Sequence, residues 1–284
     1  MHPSNNKPCS QLRIGAVSYL NTKPLVYGLQ DMLPNASLTF DLPSRLADQL
    51  AVGELDVALV PSIEFADHPE WSIISDACIG CRGPVLSVKI MFRVAPHEVK
   101  TLALDEGSRT SAVLAQILLN ELYGVRPQLS KLPIGDSYRE ANADAVLVIG
   151  DRAIHDKVGS AASQQAAGDF VEVWDLGDRW CRWAERPFVF AMWLARPGFS
   201  DVELASVLST ARDRGCANLT EIAQRESDVM RMSESAIHEY LHRNLYFTLD
   251  RDQLAGLDLY YRHAAKLGLI SHPPEVINDD CPIR

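Results

Sequence analysis

From residue 13 to residue 194, short apolar runs bounded by Pro, Gly and hydroxyl residues alternate with stretches whose apolar positions recur at helical spacing. Residues 14–17 (IGAV), 37–42 (SLTFDL), 56–60 (DVALV) and 71–74 (WSII) predict strands. Between them, Pro43 and Ser44 open a helix with Leu46, Ala47, Leu50 and Ala51 on one face, and Gly53 stands where a C-terminal cap belongs. Pro61 and Ser62 open another, followed by Ile63, Glu64 and Phe65. Residues 84–92 (PVLSVKIMF) predict a longer strand with Ser87 near its middle. A second series then follows: a strand at 101–105, an apolar helix over 112–123 ended by Gly124, and strands at 129–132, 145–149 and 170–174. The run 187–194 (PFVFAMWL) returns as a strand fit to cross between lobes. Beyond Asp201 the pattern is helical, with stripes through Leu204 and Leu208, Ile237, Tyr240 and Leu241, and Leu254, Leu257, Tyr260 and Tyr261 that predict core-facing helices.

Two turns in this pattern collect polar side chains. In RIGAVSYLNTKP the first strand gives way to Ser18, Tyr19, Asn21 and Thr22, and a helix that Pro24 can enter at its first turn. Ligands of open α/β sheets bind at such strand-to-helix turns, although hydroxyl and amide side chains there also serve as plain helix caps. The second turn, Glu106 to Ser111, brings Ser108, Thr110 and Ser111 to a helix N-terminus, a good place for a carboxylate. Gly150 and Asp151 end the most apolar strand, where Asp151 is either a cap or a ligand-facing group. Ser87, inside an apolar strand, is either a bonded core hydroxyl or a group facing a cleft.

Composition narrows the classes. With 284 residues, 47% of them hydrophobic, the chain buries a sizeable core as one large or two modest domains. A net charge of -10 argues against nucleic acid and anionic membrane as partners, so an anionic ligand needs local donors. The first residues, MHPSNNKPCSQ, carry no secretory pattern, and no apolar run approaches a membrane span, so a cytoplasmic location is expected. Six scattered Cys fit reduced thiols. Cys78 and Cys81 form one C-x-x-C without two further ligands at zinc spacing, and His238, His242 and His263 lack partners at ligand spacing, so no metal site is expected.

The alternation, the return strand and the closing helices together suggest two lobes with a cleft. The segments RIGAVSYLNTKPLVYGL, LADQLAVGELDVALVPSIEF, GPVLSVKIMF, LALDEGSRTSAVLAQILL, DAVLVIGD, DLGDRW and PFVFAMWLAR, with the closing helices IHEYLHRNLYFTLDRDQLAGLDLYYRHAAKLGLI, resemble in order the motif series of the chorismate dehydratase family of the futalosine route to menaquinone. The Cys78 and Cys81 pair and the polar N-terminal extension lie outside that pattern.

The resemblance implies an α/β, two-lobed, type II periplasmic-binding-protein-like fold with the ligand cleft between lobes. One lobe would comprise residues 11–93 with 191–284 and the other residues 94–190. It implies a lyase that removes water from chorismate without metal or organic cofactor, with Asn21 and Ser87 in catalytic roles. Ser18, Tyr19, Thr22, Ser108, Thr110, Ser111, Gly150 and Asp151 are carried as cleft residues from their motif positions. Oligomeric state is not legible. Two other functions share the scaffold: a cytoplasmic small-carboxylate-binding protein, and the naphthoate synthase of the same pathway, whose opening turn is built around Cys-Pro-Asn-Asp where this chain has Ser18-Tyr19-Leu20-Asn21.

Overall fold

The computed structural model describes residues 11–155, 170–199 and 201–276. Its strands, in chain order, are β1 (Arg13–Val17), β2 (Ser37–Asp41), β3 (Val57–Pro61), β4 (Ser72–Cys81), β5 (Val88–Phe92), β6 (Thr101–Asp105), β7 (Gln128–Leu132), β8 (Ala145–Ile149), β9 (Glu172–Asp175), β10 (Phe188–Ala195) and β11 (Tyr246–Thr248). The helices are α1 (Leu29–Met32), α2 (Pro43–Ala51), α3 (Glu64–Asp67), α4 (Thr110–Tyr123), α5 (Asp151–His155), α6 (Leu176–Ala184), α7 (Val202–Ala217), α8 (Leu219–Met230), α9 (Glu234–Glu239) and α10 (Arg251–Lys266).

Two mixed sheets divide the strands between two lobes. The first has the order β11-β4-β10-β3-β1-β2 and the second β7-β6-β8-β5-β9. β1 pairs parallel with β2 and β3, while the return strand β10 runs antiparallel between β3 and β4. Every residue of β3, β8 and β10 is buried, as continuous apolar runs require of strands covered on both faces. The chain leaves the first sheet after Cys81 and re-enters it at Phe188. β5 therefore belongs to the second sheet, and the start of β10 to the first, so the expected divisions at 93/94 and 190/191 lie beyond the crossings.

The stretch 84–92 is broken by Leu86, whose φ is +61, a conformation that no strand residue adopts. Ser87 thus precedes β5 instead of lying within it. Pro24 also departs from expectation: it sits inside a 3-10 segment, Leu20–Val26, which starts with Thr22 N–H donating to Tyr19 O at 3.1 Å. β4 runs on through Cys78 and Cys81, and β11 interrupts the C-terminal helices. α7 and α10 form as the stripes predicted. At the second crossing Trp180, Phe188 and Tyr260 pack edge to face, with centroids 5.3 and 5.1 Å apart, and Trp180 Nε1 donates to Pro187 O. Among the described residues, no helix is long and apolar enough to cross a membrane.

Candidate active site

A cleft opens between the lobes. The first lobe supplies Val17, Tyr19 and Asn21 from the end of β1 and the turn after it, together with Pro43, Pro61, Ile79 and the β10 residues Phe190 and Ala191. The second supplies Ser87 and its neighbours Val85 and Val88, the loop Gly107 to Ser111 that starts α4, and Ile149 and Gly150 at the end of β8. Of the residues singled out in the sequence, Tyr19, Asn21, Ser87, Ser108, Thr110, Ser111 and Gly150 meet here.

Three others lie outside the lining. Ser18 is exposed and its N–H continues the sheet by donating to Asp41 O. Thr22 is wholly buried beside Asn21, whose Oδ1 accepts a long bond (3.5 Å) from the Thr22 hydroxyl. Asp151 opens α5, and its Oδ1 accepts Leu20 N–H at 3.0 Å, tying the β1 turn to the opposite lobe.

Ser87 is positioned by a strained turn. Its N–H donates to Val85 O at 2.7 Å across Leu86, a γ-turn of the rare positive-φ kind. The Asp175 carboxylate holds it by accepting Val85 N–H and Leu86 N–H at 3.0 and 2.6 Å. Burial pushes Asp175 above the usual carboxylate range, although these N–H donors favour its ionised form. Ser87 is 1% exposed; its hydroxyl donates to Val85 O at 3.4 Å, while Ser87 O accepts Gly150 N–H.

The α4 loop is shaped from below by Asp105, which accepts Gly107 N–H and Ile149 N–H and pairs with Arg152. The first N–H groups of α4 have no partner within their helix and face anions favourably. Ser108 Oγ is buried with no hydrogen-bond partner. Thr110 is occupied differently: its Oγ1 accepts Ile63 N–H at 3.2 Å and lies 3.3 Å from Ser62 Oγ, across the lobe boundary. Arg109, the charged side chain of the lining, pairs with Glu64 at 3.0 Å and Asp48 at 2.6 Å on the first lobe. Burial pushes Glu64 up, and the Arg109 guanidinium only partly offsets it.

Tyr19 spans the cleft. A Cβ on Gly150, whose φ is +69, would meet its ring at 2.6 Å, so ring contact and left-handed backbone both require glycine there. Burial, then the carboxylates of Asp105 and Asp151, hold the Tyr19 phenol protonated.

One site-facing residue was missed. Tyr240 counted as a core stripe residue, and it is buried, but its hydroxyl faces Ser87 and Asn21. Helical spacing shows that a residue points inward and says nothing of what its polar end meets.

A family model described as menaquinone biosynthesis matches residues 12–266. The chain belongs to that family. It is 30% identical over 268 residues to a chorismate dehydratase of Thermus thermophilus, covering 90% of this chain and 95% of the relative. In fold it is similar to the periplasmic aliphatic sulphonate binding protein SsuA from Escherichia coli, with a TM-score of 0.60 at 15% identity over 93% of this chain and 90% of that one. A Candida albicans protein with the generic periplasmic binding protein structural fold matches with a TM-score of 0.61 at 12% identity, over 95% and 92% of the two chains. This member of the menaquinone-biosynthesis family therefore has the periplasmic-binding-protein-like fold, its cleft at the seam of two sheets.

Proposed function

We propose that the protein is a chorismate dehydratase, a carbon–oxygen lyase that converts chorismate to 3-[(1-carboxyvinyl)oxy]benzoate in the cytoplasm, in the futalosine route to menaquinone. One lobe is built on β1 to β4 with β10 and β11, and the other on β5 to β9. The family match and the Thermus thermophilus relative support the substrate.

The observation that carries the mechanism is the composition of the cleft. Among the described residues its lining contains no Asp, Glu, His, Lys or Cys, so none of them takes up a proton there at neutral pH. Dehydration removes the proton from the ring carbon bearing the enolpyruvyl ether, and the neighbouring hydroxyl leaves as water. The substrate's enolpyruvyl carboxylate takes that proton, which then leaves with the hydroxyl as water and restores the carboxylate. Asn21 and Ser87 orient the carboxylate and stabilise charge on the ring, and holding a tethered base in place is itself a large part of the rate enhancement. Ser108, Ser111 and the α4 N–H groups receive the other carboxylate, with Arg109 at the rim. No metal or organic cofactor is needed, because aromatisation drives the reaction once the proton has gone.

Incubation of the purified protein with chorismate, followed by absorbance and mass, tests this function. Loss of one water with the pyruvyl carbons retained is expected. Unchanged chorismate, or release of pyruvate, would overturn it.

A further inference from the structure

Asn21 and Ser87 make long hydrogen bonds to their neighbours, at 3.5 Å from Thr22 Oγ1 and 3.4 Å from Val85 O respectively. Both distances lie at the weak end of hydrogen bonding, so neither bond fixes its side chain. Near both lies the Tyr240 hydroxyl, shielded from solvent and not in hydrogen-bonding geometry with either. A buried hydroxyl in that condition carries a desolvation cost that nothing offsets. Phenylalanine would fill the same space without the penalty.

Tyr240 also opens a π-helical turn, Tyr240–Asn244, a wide turn found disproportionately at functional sites. Asn244 at its far end donates to Pro84 O at 2.9 Å, fastening the turn to the loop that leads into Ser87.

We propose that Tyr240 is a positioning residue, the middle member of a hydrogen-bonded chain that sets the direction of the Ser87 hydroxyl when ligand is bound. The Asn21 amide N–H₂ donates to the Tyr240 oxygen, the Tyr240 hydroxyl donates to Ser87 Oγ, and the Ser87 proton turns from Val85 O toward the ligand. A phenol is suited to this place because it accepts and donates through one atom. A hydroxyl that accepts such a bond is also a stronger donor. Without Tyr240, the Ser87 proton stays on Val85 O.

This inference rests on the proposed dehydratase function. Tyr240→Phe keeps the ring and removes only the hydroxyl. Its kcat for chorismate is expected to fall about tenfold or more, with KM and product affinity within about twofold. Its melting temperature should match or exceed wild type, since an unpartnered buried group has gone. Adding Tyr240→Phe to Ser87→Ala should cost little more, because Tyr240 acts through Ser87. A variant that turns over at the wild-type rate overturns the inference, as does a loss that follows only loss of stability, or one that adds in full to Ser87→Ala. If wild type leaves chorismate unchanged, the dehydratase function fails and takes this inference with it.

Discussion

The Asp175 carboxylate accepts the N–H of Leu86 at 2.6 Å, and Leu86 is the left-handed residue that throws Ser87 out of strand β5 and into the cleft. Strain of this kind persists only where neighbours over-determine it. Asp175 belongs to β9, on the far side of the second lobe's sheet order from the α4 loop, yet it decides where Ser87 sits. Asp175→Ala should let the turn relax, lowering kcat by about tenfold or more and lowering the melting temperature. Asp175→Asn, which keeps one acceptor, should fall between. Steady-state rates beside thermal unfolding check both.

Thr110 and Ser111 are neighbours with separable tasks. The Thr110 hydroxyl is occupied by Ile63 N–H, so Thr110→Val should cost about 1–2 kcal/mol of stability and change product affinity little. Ser111 lines the cleft, and Ser111→Ala should weaken product binding by about 1–3 kcal/mol at unchanged melting temperature. Calorimetric titration and thermal unfolding of the two variants should give opposite patterns.

The difference between these two could not be read from the sequence, where both are hydroxyls at a helix start. What was legible followed from periodicity: the strand runs at 14–17, 56–60, 101–105 and 145–149, the apolar α4, and the polar turns at their ends. Whatever depends on a single backbone angle or a long-range bond was hidden. Leu86 looks like any strand leucine until Asp175, 89 positions on, is seen to hold its N–H. Likewise Asp151 resembles a cap, but its acceptor is used by Leu20, 131 positions away.

If the substrate supplies the base, the two polar residues without acid–base function should matter more than the buried acid. Asn21→Ala and Ser87→Ala should each lower kcat by about 10²-fold, roughly 2.7 kcal/mol, with product affinity less affected. Glu64→Gln should retain activity within about tenfold, since Glu64 lies outside the lining and serves Arg109. The opposite ranking, in proteins that still bind product, would assign the chemistry to a protein base.

Asp56 joins three strands at one end of the first sheet, accepting Arg13 N–H and side chain at the start of β1 and Arg196 just past β10. Burial alone pushes its carboxyl up, but the hydrogen bonds from Arg13 and Arg196 prevail and hold it at about 2. A folded pKa below the unfolded one, near 4, stabilises the fold at higher pH. That contribution is complete above about pH 4 and is lost as pH falls toward 2. Asp56→Asn should cost about 2 kcal/mol at pH 6, less than a fully buried pair because the arginines are 40% and 39% exposed. Thermal unfolding of both proteins between pH 6 and pH 2 should show the gap closing below pH 4.

α10 follows the last strand of the first sheet but lies along α4 of the second lobe, where Tyr260 donates to Thr110 O and Glu121 meets His263 and Lys266. The second lobe's strands come from one continuous stretch, and its principal helix is nevertheless covered by the end of the chain. During synthesis, a ribosome that has delivered β9 has delivered every strand of that lobe and still not the helix that closes it. The lobe's strands are contiguous in sequence but its cover is not, and α4 stays partly bare until residue 266 has emerged.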